Sequence, residues 1–245
     1  MTRYKARQGQ VAYGYSIGIL CAEWHIPFIP GDLNNAGTFD FPVRYLSVPG
    51  VSGAGVLNGS GAAFAESLGE AARQLESEGV RAITGNCGFM ATYQEYVADQ
   101  VDIPVFLSSL LQAPMITSML SKSRMIGILT ANSASMTPEL LASAGLTDLS
   151  RVEIQGLEGA SHFNDVIIKE TGELDDELMR HEVVKGALEL VARQPAIGAI
   201  LLECSDLPPY AKPIHEATGL PVFDWANYIN YVHRTVVPQA YDGIF

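Results

Sequence analysis

Short apolar runs alternate with longer amphipathic segments along this chain of 245 residues. The runs Ser16–Cys21 and Arg124–Thr130 are rich in aliphatic residues, which is typical of strands buried on both faces of a parallel sheet. After each run comes a loop and then a segment with helical periodicity, Ala62–Glu78 in one case and Asp176–Arg193 in the other. Strands that alternate with helices predict an α/β fold with parallel sheets.

The same order of elements continues further along each half. A second strand is predicted at Ala82–Gly85 and at Ala199–Leu202, and each ends just before a cysteine. A helix over 93–100 or 211–217 then leads to a strand that contains Pro-Val-Phe. The hydrophobic pattern therefore predicts two similar halves of Rossmann-like or flavodoxin-like type.

Sequence identities show that the halves are an internal repeat. Ile-Gly-Ile-Leu at 17–20 recurs 109 residues later, at 126–129. Ala82-Ile83 recurs 117 residues later, and the same offset relates Cys87 to Cys204 and Pro-Val-Phe at 104–106 to 221–223. Because ligands of parallel α/β sheets bind beyond the carboxyl ends of the strands, two facing halves would bring both cysteines to one crevice.

Composition narrows the class of protein. With 15 Lys and Arg against 27 Asp and Glu, the net charge of −12 argues against a nucleic-acid partner, which requires basic surface. No apolar run reaches the roughly 18 residues of a membrane span, and the N-terminal segment does not resemble a secretion signal. We therefore expect a cytoplasmic protein with a small-molecule substrate and no membrane partner.

The three cysteines predict chemistry rather than cross-linking. Their spacing contains no Cys-x-x-Cys, so neither a disulfide framework nor a structural zinc site is expected. Cys21 lies within an apolar strand and is interpreted as a small core residue. Cys87 and Cys204 each follow a buried strand, where a thiolate and a thiol on opposite faces of a substrate could remove and return a proton. We find no cofactor motif, so a cofactor-independent enzyme without a metal is expected.

The segments Asn86-Cys87-Gly88 and Glu203-Cys204-Ser205-Asp206, with the duplicated halves, resemble the aspartate/glutamate racemase superfamily. That superfamily includes hydantoin racemases, arylmalonate decarboxylases and maleate isomerases. The resemblance implies an isomerase, a racemase or epimerase of an amino acid or related carboxylate, with Cys87 and Cys204 as its two catalytic bases. It also implies a homodimer, a first half formed by 1–112 plus 224–245, and a second half formed by 113–223.

Candidate substrate-binding residues lie on four loops. The first motif departs from the Cys-Asn-Thr of amino-acid racemases, and Asn86 could substitute for the missing side chains. His25, in the long loop after the first strand, is not assigned to catalysis. The predicted substrate-binding set comprises Asp32, Asn34, Asn86, Gly88, Thr130, Asn132, Ser133, Ser205 and Asp206.

Several reactions stay open at this level. Hydantoin racemisation, maleate-type isomerisation and decarboxylation belong to the same superfamily, although arylmalonate decarboxylases keep only one of the two cysteines. A two-lobed binding protein without chemistry is a further alternative. Exchange of the substrate α-hydrogen with solvent would distinguish the enzymes that act on this hydrogen from a binder.

Overall fold

The computed structural model describes residues 3–7, 10–53, 55 and 61–244. Its eight described strands form two separate sheets, and every strand pair is parallel. The first sheet has the order β2-β1-β3-β4, built from β1 (Ile17–Glu23), β2 (Val43–Ser52), β3 (Ala82–Gly85) and β4 (Val105–Phe106). The second has the order β6-β5-β7-β8, built from β5 (Met125–Thr130), β6 (Val152–Gly156), β7 (Ile197–Leu202) and β8 (Val222–Phe223).

The helices flank these sheets. They are α1 (Gly61–Glu78), α2 (Gln94–Ala98), α3 (Ala113–Met119), α4 (Pro138–Ser143), α5 (Ser161–Phe163, continued by a π-helical turn over Asn164–Ile168), α6 (Asp176–Arg193), α7 (Ala211–Thr218) and α8 (Trp225–Val236). Helix α6 begins after Asp175, whose carboxylate accepts hydrogen bonds from the N–H groups of Glu177 and Leu178. Within the described part of the chain, no helix is long and apolar enough to span a membrane.

The predicted repeat is visible in the packing. Gly18 pairs with Ile83 and Gly127 pairs with Ile200, so equivalent strands have equivalent registers. A β-carbon at Gly18 would lie 2.8 Å from Leu75, and one at Gly127 would lie 2.9 Å from Leu190. In each half, a glycine in the central strand therefore lets a helix leucine pack directly on the sheet.

Helix α8 belongs to the core of the first sheet. Trp225 and Ile229 are fully buried against Ile17, Ile19 and Phe106. The indole N–H of Trp225 donates to Thr84 Oγ1 at 3.1 Å. The chain thus starts on the first sheet, builds the second and returns to the first.

Besides α3, α4, α5 and α8, which were not predicted, the structure differs from the predicted elements in two respects. The edge strands β2 and β6 were not predicted, because their residues are mostly half-buried and include polar side chains. The elements after the cysteines begin as tight 3₁₀ turns, Gly88–Tyr93 and Pro208–Tyr210, which precede α2 and α7. Both differences concern the margins of the sheets and leave the α/β architecture as predicted.

Candidate active site

Both predicted catalytic cysteines line the same small cavity. Cys87 follows β3 and Cys204 lies two residues beyond β7, so each is at the carboxyl edge of its sheet. The cavity has a volume of about 10 Å³, which is no more than a single water molecule needs. Its lining consists of Trp24, Cys87, Gly88, Phe89, Ala131, Ile167, Ile168, Glu203, Cys204, Ser205 and Asp206.

The two thiols have matching backbone surroundings. The sulfur of Cys87 is hydrogen-bonded to the N–H of Phe89, and that of Cys204 to the N–H of Asp206, two residues further on in each case. Burial raises the pKa of both thiols, and the neighbouring carboxyl groups raise it further. Both thiols are therefore protonated at neutral pH.

Carboxyl groups distinguish the surroundings of the two thiols. Cys204 Sγ donates a hydrogen bond to Asp206 Oδ2 at 3.1 Å, whereas the charge that most affects Cys87 is that of Glu203 from the other half. Asp206 is also hydrogen-bonded to the buried carboxyl of Asp32, from the loop after β1. Burial and the charge of Asp206 raise the pKa of Asp32 well above its usual range, so Asp32 is the protonated partner of this pair.

Glu203 is a functional candidate that the sequence analysis did not include. Its side chain is fully buried, and Oε2 accepts a hydrogen bond from Thr130 Oγ1 at 2.8 Å. Within the described residues Oε1 is buried and has no hydrogen-bond partner. Burial raises the pKa of Glu203 to about 7, although the hydrogen bonds from Thr130 and the N–H of Ala131 oppose this shift.

Gly88 gives Glu203 the room it occupies. A β-carbon at position 88 would lie 1.7 Å from Glu203 Oε1 and 2.5 Å from its Cδ. Gly88 and Thr130 thus both shape the position of this carboxyl group, and their predicted contact with a substrate stays a prediction.

The side chains of two other predicted binding residues, Asn86 and Asn34, make polar contacts with the protein itself. The amide of Asn86 bonds the backbone N–H and C=O of Ala22, which anchors the strand end before Cys87. Asn34 Nδ2 is 3.8 Å from the sulfur of Cys21, and Asn34 does not line the cavity. The substrate-binding roles of Asn86 and Asn34 stay predictions.

Two predicted substrate-binding residues in the loop after β5, Asn132 and Ser133, form hydrogen bonds within the protein. Asn132 caps a turn by accepting from the N–H of Ala134, and both the N–H and the hydroxyl of Ser133 bond Glu158. Only Ala131 of this segment lines the cavity. Asn132 and Ser133 do not line the cavity, and their substrate-binding roles stay predictions.

None of the hydrophobic lining residues was predicted, and three of them come from outside the cysteine loops and the loop after β5. Trp24 comes from the first half, and Ile167 and Ile168 come from the π-helical turn of the second. Their sequence neighbourhoods give no sign of a site, because the cavity arises only when the halves pack together. No Lys, Arg or His is among the described residues that line the cavity.

Comparison with known proteins identifies relatives of this chain in sequence and in fold. A profile of the Asp/Glu/hydantoin racemase family matches residues 45–228, which is most of the chain. The chain belongs to this family. Its solved relatives share the fold at low sequence identity: a mutant of arylmalonate decarboxylase in a sulfate-associated form has a TM-score of 0.62 at 18% identity, covering 92% of this chain and 94% of that one. The aspartate racemase of Picrophilus torridus has a TM-score of 0.55 at 13% identity, covering 94% and 96%.

Curated relatives with higher sequence identity carry a different name. A dimethylsulfoniopropionate lyase of Durusdinium sp. clade D is 32% identical over 215 residues, which are 85% of this chain and 71% of that protein. Dimethylsulfoniopropionate lyase 5 of Emiliania huxleyi (strain CCMP1516) is 32% identical over 238 residues, which are 94% of this chain and 47% of that protein. The chain thus spans about half to two thirds of the length of these relatives.

Proposed function

We propose that this family member is a lyase that removes a proton from the carbon next to a carboxylate and expels a leaving group from the adjacent carbon. The proposed substrate is dimethylsulfoniopropionate, the compound for which the relatives are named. This proposal replaces racemisation, which the sequence analysis favoured, as the first choice. Proton abstraction by a cysteine is common to both reactions.

The observation that carries the proposal is the charge of the cavity. Asp206 and Glu203 line it together with the two thiols, and none of the described lining residues is a cation. Such a site suits a substrate with a positive centre, because a sulfonium group next to carboxylates is stabilised by Coulomb attraction. A dicarboxylic amino acid would bring a second anionic group into an acidic site, which is unfavourable without a cationic side chain.

Trp24 supports the same substrate class. Trp24 lines the cavity together with the acidic residues of the β7 loop. Aromatic faces attract cations whose charge is spread over methyl groups, as it is in a dimethylsulfonium group. A site that combines carboxylates with an indole is therefore suited to an alkylated cation.

The reaction balances without a cofactor. A cysteine thiolate takes the α-proton, the electron pair of the broken C–H bond forms the Cα=Cβ double bond, and the Cβ–S bond breaks with its electrons leaving on sulfur. The products are acrylate and neutral dimethyl sulfide, and the proton stays on the cysteine. Because the leaving group departs uncharged, it requires no general acid.

We assign the base to Cys204. Its thiol already donates to Asp206, so a proton acceptor lies 3.1 Å from the sulfur. A bound sulfonium cation stabilises the thiolate and offsets the effect of burial, which raises the pKa of Cys204. Cys87 lines the same cavity from the first half, so it would contact the substrate without having to accept the proton.

Substrate binding requires the cavity to open. Its volume of about 10 Å³ is too small for any propionate derivative. Trp24 lines it from the first half, and Ile167 and Ile168 line it from the second, so opening requires these residues to move apart. Closure over a bound substrate would exclude water and strengthen the electrostatic interactions within the site.

The test is direct assay of the purified protein. Incubation with dimethylsulfoniopropionate should release dimethyl sulfide, measured by gas chromatography, and acrylate, measured by NMR, in equal amounts. Incubation of chiral amino acids and hydantoins in heavy water tests the second candidate, two-base racemisation, which the matched N–H contacts of the two thiols favour. Inversion of a chiral acid without dimethyl sulfide release would contradict the lyase proposal.

A further inference from the structure

We propose that Glu203 is the binding residue for the cationic group of the substrate, and that Gly88 is the specificity position that makes room for it. The inference rests on the proposed function, since it names the side chain that recognises the sulfonium group. Glu203 directly precedes Cys204 in the sequence, and the proton transfer itself requires only Cys204.

The first observation is the unpartnered oxygen of Glu203. The side chain is fully buried, and Oε2 is held by Thr130 while Oε1 has no hydrogen-bond partner in the described structure. A buried carboxylate oxygen without a partner is costly, so such groups are nearly always paired. This oxygen belongs to a residue that lines the cavity, and it requires either a proton or a cation.

The second observation is the exclusion of any side chain at position 88. Glu203 Oε1 lies where the β-carbon of a larger residue would be, at 1.7 Å, and such a β-carbon would also be 2.8 Å from the Glu203 carbonyl oxygen. The carboxyl group thereby reaches the wall of the cavity that carries Cys87. A glycine here, in the turn after the first cysteine, admits a carboxylate from the other half of the molecule.

The third observation is the sign of the surroundings. The titratable groups that face Glu203 are Asp206, Cys87 and Cys204. A carboxyl or thiol group cannot carry a positive charge, so none of them can be the partner of an ionised Glu203. Thr130 and the N–H of Ala131 already satisfy Oε2 as hydrogen-bond donors. A positive ligand group is therefore the missing partner that would stabilise the ionised form of Glu203.

A matched pair of ligands isolates the effect of charge. The trimethylammonio derivative of propionate carries a cation where the sulfonium would be, and its carbon isostere has the same shape without the charge. Calorimetry measures the binding of both ligands to the wild type, to Glu203→Gln and to the control variant Glu216→Gln. Glu216 is an exposed residue on α7 that pairs with Lys212 at 3.7 Å. Glutamine keeps an oxygen for Thr130 but removes the charge.

The wild type and Glu216→Gln should prefer the cationic ligand by about tenfold or more, the effect of one charged contact, and Glu203→Gln should lose this preference. Gly88→Ala, which displaces the carboxyl group without removing it, should also reduce the preference. Equal preference in Glu203→Gln and the wild type, or none in the wild type, would overturn the inference. Failure of the wild type to release dimethyl sulfide, with the charge preference intact, would instead overturn the lyase function alone.

Discussion

The carboxyl group of Asp32 is hydrogen-bonded to the carboxyl group of Asp206, across the boundary between the two sheets. Asp32 also accepts a hydrogen bond from the N–H of Asn34 at 2.7 Å, and Asp206 accepts one from the Cys204 thiol at 3.1 Å. The loop after β1 is thereby connected to the proposed base through one shared proton. Because that proton belongs to Asp32, this residue positions Asp206 rather than contacting the reacting atoms.

Replacement of Asp32 by Asn should preserve this connection. An amide can donate to Asp206 and accept from Asn34, so Asp32→Asn should retain most stability, whereas Asp32→Ala should lose about 1–3 kcal/mol by removing one of the donors to Asp206. The pKa of Asp32 is raised on folding, so its contribution to stability is lost as the pH rises through the folded value. Thermal unfolding should show this loss with rising pH in the wild type and not in Asp32→Asn. Equal stability of Asp32→Ala and the wild type would contradict the paired arrangement.

Glu203 should make folding stability depend on pH in a defined range. Its pKa rises from 4.5 to about 7 on folding, so the folded protein binds this proton more tightly than the unfolded chain does. The resulting stability is present below pH 4.5 and is lost as the pH rises through about 7. Relative to Glu203→Gln, the free energy of unfolding of the wild type should fall by about 3 kcal/mol across this interval.

Denaturant titrations at several pH values measure that difference. Glu216→Gln serves as the control, because its carboxylate is exposed and its curve should parallel the wild type. A constant difference between the wild type and Glu203→Gln throughout the interval would show that the buried carboxyl group does not titrate as described.

The two cysteines should contribute unequally to elimination. Cys204→Ser removes the base and should lower the rate of dimethyl sulfide release by about 10² to 10⁴-fold, the usual value of general base catalysis. Cys87→Ser should cost less than about tenfold, since no proton must be returned to the substrate. Cys21→Ser, in the core of the first sheet, is the control and should retain activity. Equal large losses in both cavity variants would favour the two-base racemase.

Thiol labelling should reveal the charge of the cavity without any substrate. A methanethiosulfonate that carries trimethylammonium should modify Cys87 and Cys204 about tenfold faster than one that carries sulfonate, because acidic side chains attract the cationic reagent. Cys21, whose pKa is raised to about 12 by burial, is an internal reference within the same chain. Peptide mapping by mass spectrometry gives the rate at each cysteine. Faster reaction of the anionic reagent at the cavity cysteines would refute the proposed selectivity for cations.

The repeat made most of the architecture predictable from the sequence. Helix α6 has the predicted bounds Asp176–Arg193, and β3 has the predicted bounds Ala82–Gly85, because clear periodicity ends at turn residues in both cases. The common offset of the two cysteines correctly predicted that they share a cavity. Periodicity is a local property of the sequence, and internal homology is a relation between two parts of it. Both can therefore be read from a single sequence.

The carboxyl groups of the site were harder to predict. Glu203 directly follows the apolar strand β7, and this abrupt change from aliphatic to acidic residues before a cysteine was an available signal. Its contact with Gly88 depends on how one half packs against the other, which no periodicity records. Conversely, Ser133 has the residue type of a substrate ligand, but Glu158 provides a partner closer to its own loop.

The packing of α8 on the first sheet has a consequence for synthesis of the protein. Trp225 and Ile229 complete a core whose earliest strand, β1, leaves the ribosome about two hundred residues before them. The second sheet and its helices are contiguous in the chain, so they can finish folding while the first sheet still exposes the apolar face that α8 will cover. During translation that unfinished face is where a chaperone would bind, and premature termination before Trp225 would leave it permanently exposed.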